Sequence, residues 1–216
     1  DAADVRGFPE GPDALAALQT GQVDAVIIDQ PVAADAIEKQ GGFEIVEEIA
    51  TDELYGFAIA EDNPGLREQM NTALQEIKDD GTLTEIYQEY FSTDPPESVL
   101  SGTNDLAEPL TEGEEPVLIE DGILTVGTDT PFPPFEIGQP PDISGFDIDV
   151  LNAVAERVGL TPEYTDTSFD TIFGDVQAGR FDTAAAASTI TPGRENAVDF
   201  SDPYYEAQQA LVVPAE

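Results

Sequence analysis

Residues 17–28 read ALQTGQVDAVII, and residues 175–186 read DVQAGRFDTAAA. Both carry one order of signals: a helix, a glutamine and a glycine at its stop, then an aspartate opening a run of small or apolar residues. A glycine there suits the left-handed end of a helix. A run such as VDAVII predicts a strand buried on both faces. The pattern occurs once in each half of the chain, which points to two similar α/β lobes with a cleft between them.

The flanking sequence extends the alternation. In front, residues 4–8 read as a short strand, 12–20 as a helix with ALAAL on its buried face, and 31–40 as a helix stopped by Gly41-Gly42. Residues 43–49 and 55–60 read as strands, Asn63-Pro64 starts a long helix that Gly81 ends, and 84–90 forms another helix. Behind, 123–127, 163–166, 183–187 and 208–213 read as strands, with helices at 146–158 and 169–177. Helices alternating with apolar strands predict a mostly parallel α/β sheet in each half. Residues 92–122 are rich in Pro, Gly, Ser, Thr and acid without sustained periodicity, and read as a solvated, flexible linker.

Seven basic residues stand against 46 acidic ones, a formal charge of −39, yet 40% of the chain is hydrophobic. Strong like charge ordinarily accompanies a shortage of apolar residues and disorder; the ordered apolar patterns here indicate a folded protein with an acidic surface. Nucleic acid is excluded as a partner, because phosphate neutralisation needs a basic surface, and an anionic membrane surface would repel the chain. There is no Cys and no His, which removes disulfides, thiolate nucleophiles, zinc–thiolate sites and imidazole-based triads. Ordinary small domains carry a charge of about 2–8 in magnitude, so −39 predicts adaptation to near-saturating salt, where self-repulsion is screened. No apolar run approaches the roughly 18 residues of a membrane span. The opening DAADVRGF lacks Met and a signal peptide, and the closing ALVVPAE reads as a strand in mid-connection, so the expectation is an excerpt of a longer product.

Several longer motifs carry a family resemblance. ILTVGTDTPFPPFEI (123–137), SGFDIDVLNAVAERVGL (144–160) and ASTITPGRENAVDFSDPYY (187–205) resemble the first lobe of polar amino-acid-binding proteins of ABC importers, the two-lobed type II solute-binding proteins. GQVDAVIIDQPVA (21–33) and the stretch 55–91 resemble their later portion. The resemblance implies an α/β, two-lobed, periplasmic-binding-protein-like type II fold. Its second lobe is incomplete, since the opening strand, Gly/Thr-rich turn and helix of that lobe are missing. The segments are also in inverted order, as in a circular permutant or a window across tandem receptors. The implied division is 1–54 as a partial second lobe, 55–91 as a return strand and helices packing on the first lobe, 92–122 as linker, and 123–216 as the first lobe. Residues 56–60 and 210–214 would be the two crossing strands of the hinge.

The resemblance also implies a site. Arg194, in TPGRE, is the ligand for an amino-acid carboxylate, since a planar guanidinium makes two parallel bonds to its oxygens; a surface arginine balancing Glu195 is the plainer alternative. Thr189 is similar to a hydroxyl donor to the same carboxylate, or is simply a β-branched strand residue. Ala186 and Ala187 leave room for the ligand backbone, or pack as small core residues. Asp29, ending VDAVIID at the mouth of an α/β sheet, matches the acceptor for the ligand ammonium; it equally suits the N-cap of the helix near Pro31, and the two roles are compatible. Asp129 resembles the position that meets the ligand side chain, although an isolated aspartate in so acidic a chain defaults to solvation. Phe132 and Phe169 match the aromatics that flank the ligand, although core packing is the usual fate of Phe. By this resemblance the chain is an extracellular or periplasmic protein, membrane-anchored through a leader outside it, that captures a polar amino acid and delivers it to an ABC permease. No catalysis, cofactor or metal is expected. The alternatives are a receptor's ligand-sensing domain and an enzyme resembling cyclohexadienyl dehydratase.

Overall fold

The computed structural model describes residues 4–8, 11–107 and 113–215. Along the chain the elements are α1 (Gly11–Gln19), β1 (Val26–Asp29), α2 (Gln30–Gln40), β2 (Phe43–Tyr55), β3 (Ala58–Ile59), α3 (Pro64–Asp79), α4 (Thr82–Phe91) and α5 (Glu97–Leu100). After them come β4 (Ile123–Thr128), β5 (Ile137–Gln139), β6 (Asp142–Ser144), α6 (Phe146–Val158), β7 (Thr161–Asp166), α7 (Phe169–Gln177), β8 (Thr183–Ala184), a 3-10 turn (Arg194–Asn196), β9 (Asp199–Phe200) and β10 (Tyr205–Pro214). Residues 4–8, expected as a strand, are irregular. Among the described residues no helix is long and apolar enough to cross a membrane.

The chain divides into two compact units. The smaller comprises Asp1–Asp52 and Ala207–Glu216, the larger Glu53–Glu206. These boundaries differ from those expected for 123–216 as one lobe: its last ten residues belong with the front of the chain. The chain passes between units within β2 and within β10, so residues 56–60 are not a crossing strand.

In the smaller unit β10 lies between β1 and β2. β1 is antiparallel to β10, with Val26 opposite Val212 and Ile28 opposite Ala210. These four side chains are buried, and α1 and α2 pack against β1. Ile27 on the other face is 64% exposed, so β1 is covered on one face only, contrary to the two-sided burial that VDAVII suggested.

The larger unit contains a five-stranded sheet in the order β7-β4-β8-β3-β9. β4 is parallel to β7 and β8, whereas β3 is antiparallel to both β8 and β9. The sheet is therefore mixed rather than mostly parallel. One side of its core gathers Ala58, Ile172, Val176, Ala184, Ala186, Val198 and Phe200. α3 and α4 lie against α6; Tyr87 of α4 packs edgewise on Phe146 of α6 and stacks on Tyr205, while Phe91 is tilted against both.

Residues 92–122 are not a free tether where they are described. Val99 is wholly buried, and Asn104 bonds the Phe200 carbonyl, the Glu195 carboxyl and the Asp202 carboxyl. Val117 exchanges two hydrogen bonds with the Asn63 side chain, and the Ile119 N–H donates to Asp182. Polar side chains of the body satisfy the backbone groups of Asn104, Val117 and Ile119 that anchor this segment.

Candidate functional site

β8 leads into the segment that carries Ala187, Thr189 and Arg194. The Gly56 N–H donates to Ser188, the Ile190 N–H donates to Leu54, and Thr189 bridges Tyr55. Thr191, Pro192 and Gly193 then turn the chain, with the Arg194 N–H bonded to the Thr191 carbonyl. This turn sends the Arg194 side chain back along the segment, where Nη1 donates to the Thr189 carbonyl at 2.7 Å.

The Arg194 guanidinium carbon lies 5.0 Å from the ring centre of Phe169 and 5.1 Å from that of Phe173. Both rings come from α7, one turn apart, where residues four positions apart share a face. Two aromatic faces attract a cation and hold its plane in one orientation. Burial lowers the guanidinium pKa, with Tyr55 and Glu53 opposing that shift, and the group stays cationic because arginine starts so high. Ion pairs among the described residues are Lys39–Asp35, Arg67–Asp199, Arg157–Asp80 and Arg180–Asp175. Arg194 forms none with them, in a chain with 46 carboxylates.

Asp129 follows β4 and is half-buried. Burial raises its pKa, the Phe169 N–H at the start of α7 counteracts this, and the carboxyls of Asp166 and Asp170 add to the rise. Phe169 thus touches Arg194 with its ring and Asp129 with its backbone. Arg194, Thr189, Phe169 and Asp129 are brought together around the N-terminus of α7.

Phe132 makes its own contacts in the neighbouring loop. Its ring stacks on Phe135 at 6.0 Å, and its N–H donates to Glu136, which closes the FPPFE loop on itself. Among the described residues it makes no ring contact with Phe169 and no cation contact with Arg194. Ala187 is buried with φ +43°, and its N–H donates to Asp147 at 2.8 Å. Asp29 belongs to the smaller unit, where it occupies the N-cap position of α2 without a side-chain capping bond and accepts from Gln209 on β10.

Sequence reasoning does not single out Phe173 or Gln209. The FDTIF spacing signals Phe173, four residues after Phe169. For Gln209 there is no local signal, since its pairing with Asp29 spans 180 residues. No group of three or more His, Cys, Asp or Glu among the described residues is arranged to hold a metal ion.

The family model for bacterial extracellular solute-binding proteins, family 3, matches residues 10–93 and 124–216. A "Probable histidine-binding protein" of Neisseria gonorrhoeae is 33% identical over 93 residues, covering 43% of this chain and 35% of that protein. The arginine-binding extracellular protein ArtP of Bacillus subtilis (strain 168) is 34% identical over 89 residues, covering 41% and 35%. The chain thus spans about a third of the length of these relatives. A solved structure of an ancestral arginine-binding protein bound to arginine aligns at 42% identity with a TM-score of 0.37, covering 39% of this chain and 38% of that one.

Proposed function

The chain belongs to the bacterial extracellular solute-binding proteins, family 3, and on that footing we propose that it binds a polar amino acid outside the cytoplasm for delivery to an ABC permease, with Arg194 as the ligand for the amino-acid carboxylate. One observation carries the reading. Arg194 is a half-buried cation that forms no ion pair among the described residues and rests against two phenyl rings, in a protein with a large excess of carboxylates. Burying a charge without a partner is costly, and an anionic ligand supplies the partner. The bond to Thr189 fixes one edge of the guanidinium and leaves its remaining N–H groups for a carboxylate's two oxygens.

The Asp129, Asp166 and Asp170 carboxyls beside the same helix start favour a ligand with a basic or neutral polar side chain over an acidic one. On the sequence resemblance alone, Asp29 keeps its proposed role as acceptor for the ligand ammonium, Thr189 as hydroxyl donor, and Phe132 and Ala187 as ligand contacts. Titration calorimetry with arginine, histidine, glutamine and glutamate in molar salt tests the proposal. The expected outcome is binding of arginine, histidine or glutamine and rejection of glutamate. Arg194→Ala should weaken binding at least about 100-fold, the loss of roughly 3 kcal/mol expected when a buried charge loses its partner. Asp29→Asn should weaken it by a smaller factor. Unchanged affinity in Arg194→Ala, with circular dichroism showing an intact fold, overturns the assignment.

A further inference from the structure

Two carboxyl groups lie at the centre of the larger unit with no solvent access: Glu136, closing the FPPFE loop, and Asp147, in the first turn of α6. The chain brings them together through Gly145. This residue has φ +129°, and a Cβ there would lie 2.1 Å from the Phe135 carbonyl oxygen. Only glycine combines that conformation with so close an approach. The Phe146 and Asp147 N–H groups donate to the Pro134 and Phe135 carbonyls, which locks the loop onto the start of α6.

Asp147 Oδ2 accepts from the Ala187 N–H at 2.8 Å and from the Tyr204 hydroxyl at 2.7 Å. Tyr204 is held by its own N–H on the Tyr55 carbonyl and by stacking on Phe57. Asp147 Oδ1 and both oxygens of Glu136 lack a donor at full hydrogen-bond geometry among the described residues, although the Ala187 N–H also lies toward the Glu136 carboxyl. The side chain that faces Glu136 within bonding reach is the Asp147 carboxyl, beside the Ala187 N–H that Asp147 also holds. Two carboxyl groups form a hydrogen bond only when one carries a proton. The other titratable groups turned toward the pair are Asp129 after β4, Tyr204 and Tyr55 beside them, Tyr164 on β7 and Tyr87 on α4. All are acidic or neutral, and no Lys or Arg among the described residues pairs with either carboxyl.

We propose that Glu136 and Asp147 share a single proton in the folded protein, and that the ionised Asp147 so maintained is the positioning residue that fixes Ala187 and the segment carrying Thr189 and Arg194. The proton resides on Glu136, which donates to Asp147. The negative charge resides on Asp147, where the N-terminus of α6, the Tyr204 hydroxyl and the Ala187 N–H all favour it. Burial raises both carboxyls, Glu136 well above its ordinary range, while the bonds to Asp147 oppose the rise there. Ala187 sits in left-handed backbone that a non-glycine residue adopts at a cost. Its N–H on Asp147 is the bond that opposes relaxation. Removing the shared proton would put two facing anions beside that bond.

The expectation that this positioning reaches the ligand rests on the amino-acid-binding reading; the proton itself does not. The test is an NMR pH titration of the wild-type protein in molar salt, followed at the Ala187 amide, together with infrared detection of a protonated carboxyl at pH 7. The expected result is a protonated-carboxyl band at neutral pH and an Ala187 resonance that moves as Asp147 ionises, with a pKa of about 6, and again at higher pH as the shared proton is lost. Glu136→Gln, whose amide still donates to Asp147, should abolish the band and the higher-pH step and retain amino-acid binding. Wild-type affinity should fall in the alkaline range while the variant's stays flat. Folding takes up a proton, so the wild-type midpoint temperature should fall as pH rises above the ordinary carboxyl range, and Glu136→Gln should flatten that slope. Absence of the band, an Ala187 amide indifferent to pH, or stability set by the identity of the monovalent cation would overturn the proposal, the last by showing that a bound cation neutralises the pair. If the wild type binds no amino acid, the functional reading fails while the band and the amide still decide this one; if Glu136→Gln does not fold, the wild-type measurements decide it.

Discussion

Arg67 on α3 and Asp199 on β9 meet at 2.6 Å, with Arg67 only 3% exposed. Removing one partner of a buried pair leaves an uncompensated charge, and here the Glu195 carboxyl also faces Asp199. Arg67→Met is expected to lower the unfolding free energy in urea by roughly 3–5 kcal/mol, whereas Arg67→Met combined with Asp199→Leu should recover most of it. Its spacing from Met70 and Leu74 puts Arg67 on the buried face of α3, but nothing local in GLREQMNTAL names its partner, which lies 132 residues away. Arg194 stands out only because TPGRE resembles a family motif; its placement depends on Thr189 and on the Phe169 and Phe173 rings of α7. Asp182 shows what the repeated motif's aspartate does in the back half, where it accepts from the N–H and hydroxyl of Thr125 and from the Ile119 N–H. Its counterpart in the front half, Asp24, is exposed.

At the scale of elements, helices are legible in the sequence because their ends are marked locally. Pro64 follows the Asn63 cap of α3, and Gly159 in left-handed backbone ends α6. Strand lengths and directions are less so. β2 runs from Phe43 to Tyr55, past the acidic stretch where alternation fades, and β3 is two residues long with its direction set by its neighbours. The segment 92–122 departs from the expected tether because its anchors are single side chains elsewhere. Asn63 serves two elements: its Oδ1 caps α3 at the Leu66 N–H and accepts from Val117, and its Nδ2 donates to the Val117 carbonyl. Asn63→Ala should therefore cost about 1–2 kcal/mol for the cap and release the segment around Val117. Limited proteolysis should then cut the variant there faster than wild type, and equal cleavage rates would show that Val117 is held by other means.

For the whole molecule, the charge of −39 sets a long-range term that no single contact decides. The screening length falls from about 10 Å at 0.1 M salt to about 3 Å at 1 M, so the thermal midpoint measured by circular dichroism should rise steadily with added KCl; a flat or falling curve would show that self-repulsion does not limit this fold. The sequence by itself determined the α/β class, the longer helices and the glycines and Asn63 that end or start them, the acidic charge, and the exclusion of Cys and His chemistry. Each of these is written in residue type or in spacing shorter than a few turns. Only the tertiary structure decided that β3 from the front half inserts between β8 and β9 from the back half, and that α3 and α4 lie on α6. It alone decided that Glu136 faces Asp147, and that the last ten residues return to the first fifty-two. The physical reason is that local pattern tells a segment which face to bury. Which distant face covers it depends on the shape, hydrogen-bonding groups and charge of both partners at once, and no single segment carries that information.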